Sequence, residues 1–132
     1  MKKAYCFIND LKKEAIDIIL KSGIELTIND KREIPNENEL ISIIKNYDII
    51  IISVAIKLSS KLLKYFNSQK IIATISVGVD HIDKSFFDSP LVSIIQINKS
   101  NAISVAEHIF SLILALNKRL VEANNLTING NR

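Results

Sequence analysis

Tryptophan is absent from this 132-residue chain, glycine occurs three times, proline twice and cysteine once. Each scarcity closes a class. One cysteine, Cys6, cannot form an internal disulfide, which points to a reducing compartment, and we expect a cytoplasmic protein. Glycine stands only at positions 23, 78 and 130, so no glycine-rich phosphate loop of the GxGxxG kind can be written. No long hydrophobic run exists. The most apolar stretch, IFSLILAL from Ile109, is eight residues long, against the ~20 that a membrane span needs. The N-terminal apolar run, Ala4–Ile8, is shorter than a signal-peptide core of ~7–15 residues. Net charge is only +3, and the 17 basic residues are scattered among 14 acidic ones. Nucleic-acid binding would need a clustered basic face, so neither nucleic acid nor membrane is an expected partner.

What is present is aliphatic. Apolar residues make up 48% of the chain and isoleucine alone contributes 26. The length is one domain's worth by the usual ~100–200 residues. Strand-like and helix-like segments alternate. Ala4–Ile8 reads as a strand ended by Asn9-Asp10, a turn and helix-cap pair. A helix follows with Leu11, Ala15, Ile18 and Ile19 on one face and Gly23 as its stop. Ile24–Ile28 reads as an edge strand, residues 29–37 as a polar loop around Pro35, and Glu39–Lys45 as a short helix. Ile49–Ile52 is a β-branched run of the kind buried in parallel sheets. Ser59-Ser60 is a cap for the helix SKLLKYF, Lys70–Ser76 a further strand, DHIDKSFFDS a short helix or turn, and Leu91–Ile97 a last strand. One element runs from Asn101 to Asn124, and a polar tail frays beyond it. About five βα units predict an α/β fold: a flavodoxin-like open parallel sheet with helices on both faces.

Chemistry would collect at the carboxyl ends of the strands. Ser76-Val77-Gly78 falls at one such end, where glycine admits unusual backbone angles and close ligand approach, and successive N–H groups can cradle a carboxylate. Asp80-His81-Ile82-Asp83 follows. Two acids and one histidine are too few for a zinc site, so no metal is expected, and the aspartates are expected to cap or brace the next turn. Asn101 is a good N-cap, and Ser104 with Glu107 has capping-box spacing. Val105, Ile109, Leu112, Leu116 and Leu120 form a stripe that Ala102, Ala106, Phe110, Ile113 and Leu114 extend nearly all round. Such a helix needs a second domain or another subunit to cover it. Neither His81 nor His108 has a visible partner to orient it for catalysis, and Cys6 has no positive neighbour to lower its pKa.

Two strings, SVGVDHID (Ser76–Asp83) and NAISVAEH (Asn101–His108), continued by the Leu112–Arg119 run, resemble the NAD-dependent D-isomer-specific 2-hydroxyacid dehydrogenases, a family that includes phosphoglycerate, glyoxylate, D-lactate and formate dehydrogenases. The resemblance covers about Ile49 to Gly130. It implies that Val77 and Gly78 hold a substrate carboxylate, that Asn101 lies by substrate, and that Ser104 and Val105 lie near the nicotinamide ring of NAD or NADP. It further implies a substrate-binding domain over residues 1–100. Residues 101–132 then form a long apolar interdomain and dimerisation helix leading to a nucleotide-binding domain that the chain lacks. The family's catalytic Arg, Glu and His belong to later sequence, so no catalytic residue is assigned here. The expected partners are a small 2-hydroxy or 2-oxo acid, the missing domain or a second chain, and a like subunit in a homodimer. We therefore expect part of an oxidoreductase acting on the CH–OH group of a 2-hydroxy acid, inactive alone. The alternative is a non-catalytic binding or dimerisation module.

Two departures stand out. The family's NxPGxN-like loop is QINKSN here, Gln96–Asn101. The arginine that many members carry near Ile52 or Ser53 is also absent, which argues against phosphoglycerate-type recognition. Other flavodoxin-like proteins fit less well. A phosphoryl receiver could use Asn9-Asp10 and Lys99, but its third strand should end in Asp, and here it ends at Ser53.

Overall fold

The computed structural model describes every residue except Arg32, Lys99, Ser100, Asn131 and Arg132. Lys99 and part of the Gln96–Asn101 loop therefore lie outside the described residues. The chain divides into two units, Met1–Asn98 and Lys99–Arg132.

The first unit is built on five strands: β1 (Lys3–Cys6), β2 (Glu25–Ile28), β3 (Ile49–Ile52), β4 (Lys70–Thr74) and β5 (Val92–Gln96). They form one sheet in the order β2-β1-β3-β4-β5, every pair parallel. This is the flavodoxin-like order, with β2 at one edge as its alternating sequence suggests. α1 (Lys13–Lys21) connects β1 to β2 on one side, and α2 (Glu37–Asn46) carries the chain back across β1 to β3. Right-handed crossovers in opposite directions put these helices on opposite faces. The main core lies on the α2 face. Ile50, Ile52 and Ile72 meet Leu40 and Ile44 of α2, together with Leu58, Leu62, Phe66, Ile82 and Phe86 from the connections. The register pairs Ile50 with Ile72 and Ile72 with Ile94, giving an aliphatic row across three strands.

Local details differ from the sequence expectations for identifiable reasons. The first helix starts at Lys13 with Lys12 as its N-cap, so Asn9-Asp10 does not cap it. Ile18 is 67% exposed and lies off the covered stripe, which Ala15, Ile16 and Ile19 make instead. α1 covers only the sheet edge, so a narrower face is enough. Gly23 does end the helix, at φ +74°. α2 begins two residues before the expected start because Asn36 and Glu39 close a full capping box. Ser60–Tyr65 is a 3₁₀ helix rather than an α-helix, and Ser59 precedes it without a side-chain cap bond. Asp83 caps the short turn Lys84–Phe86 by accepting from the Ser85 N–H at 3.0 Å, as expected.

The second unit holds α3 (Ala102–Asn117) and α4 (Leu120–Ile128). The single element expected over Asn101–Asn124 is broken at Lys118-Arg119, where Arg119 takes the left-handed conformation at φ +47°. The expected frayed tail is helical as far as Ile128. Asn101 occupies the N-cap position of α3 without a side-chain cap bond, and Ser104 and Glu107 lie inside the helix, where no capping box forms. No residue of α3 or α4 is buried. Among the described residues, no helix is long and apolar enough to cross a membrane.

Candidate functional site

β3 and β4 end side by side, with Ile52 paired to Thr74. The chain leaving each strand is tied to the other. The Leu58 N–H donates to the His81 carbonyl at 2.8 Å, and the Asp83 N–H donates to the Leu58 carbonyl at 2.9 Å. These bonds form a parallel bridge between Leu58 and Ile82. Ile56, Leu58 and Ile82 point into the core, so both connections are anchored by apolar burial as well as by hydrogen bonds. The Ile82 N–H closes the turn by donating to the Val79 carbonyl at 2.9 Å.

Between the two connections lies a cavity of about 380 Å³ lined by Val54, Lys57, Gly78, Asp80 and His81. Among the described residues, no acceptor meets the backbone N–H groups of Val77, Gly78, Val79 and Asp80. Successive unclaimed amides on one turn are a natural seat for an anion. Lys57 is exposed on the opposite wall, and no ion pair to it forms among the described residues. The cavity thus brings together the Gly78 turn, the Lys57 cation and the Asp80 carboxylate.

Under the turn runs a chain of side-chain hydrogen bonds. The Ser76 hydroxyl donates to the Gly78 carbonyl at 2.7 Å. Thr74 Oγ1 lies 2.7 Å from Ser76 Oγ and 3.0 Å from His81 Nε2. Ser76 has one proton, already given to Gly78, so Thr74 must donate to Ser76 and accept from Nε2–H of His81. That fixes the His81 tautomer, with the proton on Nε2. Burial holds the His81 pKa below the ordinary histidine value and so favours the neutral ring, opposed by the nearby Asp80 carboxylate.

The residues expected from sequence divide between the two units. Gly78 lines the cavity, and Val77 is beside it in the same turn, half-exposed. Asn101, Ser104 and Val105 belong to the second unit, at the N-cap and first turn of α3. His108 is exposed, and Cys6 is fully buried, its thiol pushed up by desolvation. Sequence reasoning missed Lys57 and Thr74. Thr74 is the last residue of β4, and Lys57 follows β3 at the same sheet end, so topology was the available signal. His81 does have an orienting partner, in Thr74. Three converging His, Cys, Asp or Glu side chains do not occur among the described residues.

A larger cavity, about 480 Å³, lies beside the start of α2 and includes Tyr5, Asn29, Lys31, Asn36 and Glu39. Several of its polar groups are paired with each other. Asn29 bonds the Lys31 backbone, Asn36 bonds Glu39, and Lys31 meets Glu39 at 3.2 Å. The smaller cavity has the unclaimed donors and is the better candidate.

Comparison with known proteins bears on this geometry. Residues 5–125 match the family model for the D-isomer specific 2-hydroxyacid dehydrogenase, catalytic domain. A D-3-phosphoglycerate dehydrogenase of Synechocystis sp. is 28% identical over 115 residues, which is 87% of this chain and 19% of that protein. A hydroxypyruvate reductase of Thermotoga maritima is 29% identical over 118 residues, 88% of this chain and 37% of that protein. A D-lactate dehydrogenase of Aquifex aeolicus, solved with NAD and lactic acid, superposes with a TM-score of 0.71 at 29% identity, covering 98% of this chain and 38% of its own. The chain thus spans about a fifth to two-fifths of the length of these relatives.

Proposed function

The chain belongs to the D-isomer specific 2-hydroxyacid dehydrogenase family, within the catalytic domain, and from that membership we propose that it is the substrate-binding part of an oxidoreductase that interconverts a small 2-hydroxy acid and its 2-oxo acid. In this reading the substrate carboxylate lies against the N–H groups of Val77 and Gly78. The observation that carries it is the run of amides on the β4 turn that meet no acceptor among the described residues, beside a cavity lined by Gly78 and Lys57. NAD or NADP, when bound by the complete protein, supplies the hydride acceptor or donor. Asn101 would line the substrate side, and Ser104 and Val105 the nicotinamide side. Residues 1–100 form the substrate-binding portion and 101–132 the link to a nucleotide-binding domain. The apolar surface of α3, with Leu116 80% and Ile103 75% exposed, suits burial against that domain or a like subunit. The same exposed surface also favours a second reading, a binding or dimerisation module without catalysis.

Lys57 takes over the charge that the family's arginine near Ile52 or Ser53 would bring. Lysine is a point charge without the bidentate fork of arginine, which suits a single carboxylate better than a phosphate needing several donors. Titrating the chain with glyoxylate, the smallest 2-oxo acid, tests this. Lys57→Met should weaken binding several-fold, and added salt should narrow the difference. Equal affinity for wild type and Lys57→Met would remove Lys57 from the site.

A further inference from the structure

The peptide joining Gly78 to Val79 directly follows the Val77 and Gly78 amides of the proposed carboxylate seat, and Gly78 lines the cavity. It is trans, so its C=O and N–H point in opposite directions. Ser76 holds the Gly78 oxygen at 2.7 Å. The Val79 N–H is thereby aimed away from Ser76, toward no acceptor among the described residues. Left alone, the Ser76 hydroxyl could rotate, and its proton could go elsewhere. It is prevented from doing so by Thr74, whose own proton occupies the Ser76 lone pair, and Thr74 is in turn fixed by Nε2–H of His81. Thr74 is 2% exposed, so water does not compete for its hydroxyl. The far end is equally constrained, because the His81 carbonyl is held by Leu58 and the next residue, Ile82, is buried in the core.

We propose that Thr74 and His81 are positioning residues, which through Ser76 lock the Gly78–Val79 peptide with its N–H presented to an anionic ligand. The role as a ligand-positioning device rests on the reading of this turn as a carboxylate seat; the lock itself does not. His81 thus contributes as a neutral donor through Nε2, without proton transfer to a substrate. Its protonation would leave that donor in place, so the lock persists across the histidine titration.

Two pairs of variants of the full chain separate these claims. Thr74→Val keeps the side-chain shape without the hydroxyl, and Thr74→Ser restores it. His81→Leu removes the donor, and His81→Gln returns an amide N–H at about the reach of imidazole Nε2. Without ligand, the Val79 amide resonance should move in Thr74→Val and His81→Leu, and stay near its wild-type position in Thr74→Ser and His81→Gln. With glyoxylate as the probe, the first of each pair should bind roughly fivefold more weakly, as expected for one misdirected hydrogen bond, while the conservative partners keep most of the affinity. Unfolding midpoints of the four variants identify any that merely fail to fold. An unmoved Val79 amide in folded Thr74→Val overturns the lock. A moved amide with unchanged glyoxylate affinity overturns the positioning role. If the wild-type chain shows the lock but binds no glyoxylate at the turn, the carboxylate-seat reading fails and with it the positioning role, and the lock stands alone.

Discussion

Gly78 has an ordinary backbone conformation; the positive-φ glycines are Gly23 and Gly130. A Cβ built on Gly78 would meet only Asp80 Oδ2, at an ordinary 3.6 Å. The fold therefore does not need glycine at this position, for either angle or space. The remaining role is the second one expected of it, allowing a ligand close to the chain. Gly78→Ala should leave the thermal unfolding midpoint unchanged or slightly raised, since alanine reduces unfolded-state entropy by roughly 0.4–1 kcal/mol. It should also weaken glyoxylate binding about tenfold, because a methyl group forced into a filled site costs roughly 1–3 kcal/mol. Calorimetry of unfolding and of binding checks both, and a destabilised variant with intact affinity would reverse the assignment. Gly78 was legible from its place after a strand. His81 and Lys57 were not, because their partners and walls come from segments about seven and twenty residues away in sequence.

At the scale of elements, helix starts show where local chemistry is and is not used. Asn36 accepts from the Glu39 N–H at 3.0 Å, and Glu39 accepts from the Asn36 N–H at 3.1 Å. Glu39 also meets Lys31, and these bonds hold its carboxyl below the usual range. Asn101 makes no such bond. Asn36→Ala should therefore cost about 1 kcal/mol of stability in the denaturant unfolding of the first unit, and Asn101→Ala distinctly less; equal effects would contradict the capping assignment. The capping-box letters are present in both NENEL and SVAE. Only the first falls where the chain has just left an extended segment, at Asn36 with ψ 168°. Ser104 already lies inside a helix, where its spacing to Glu107 carries no cap. The break at Lys118-Arg119 was hidden for another reason. No glycine or proline marks it, and the apolar spacing runs on from Leu116 to Leu120 across it.

At the scale of the whole molecule, the alternation of β-branched runs with helical segments was enough to predict an open parallel sheet, and the edge position of β2 followed from its half-polar alternation. Strand order then decided what could meet. By placing β3 beside β4, it brings the connection after Ser53 against the turn after Thr74, and a cavity with Lys57 on one wall and Gly78 on the other results. Neither segment alone specifies that pairing. The apolar surface of α3 was equally visible in sequence, and Ile103 and Leu116 on it are 75% and 80% exposed. Whether the β4 turn binds a carboxylate is read out by an amide-resolved NMR titration of the isotopically labelled chain with glyoxylate. Binding at this turn should give saturable shifts concentrated at Val77, Gly78, Val79 and Asp80, with smaller ones at Lys57 and His81. Saturable shifts centred instead on the Tyr5–Asn29–Glu39 cavity, or none at the β4 turn, would contradict it.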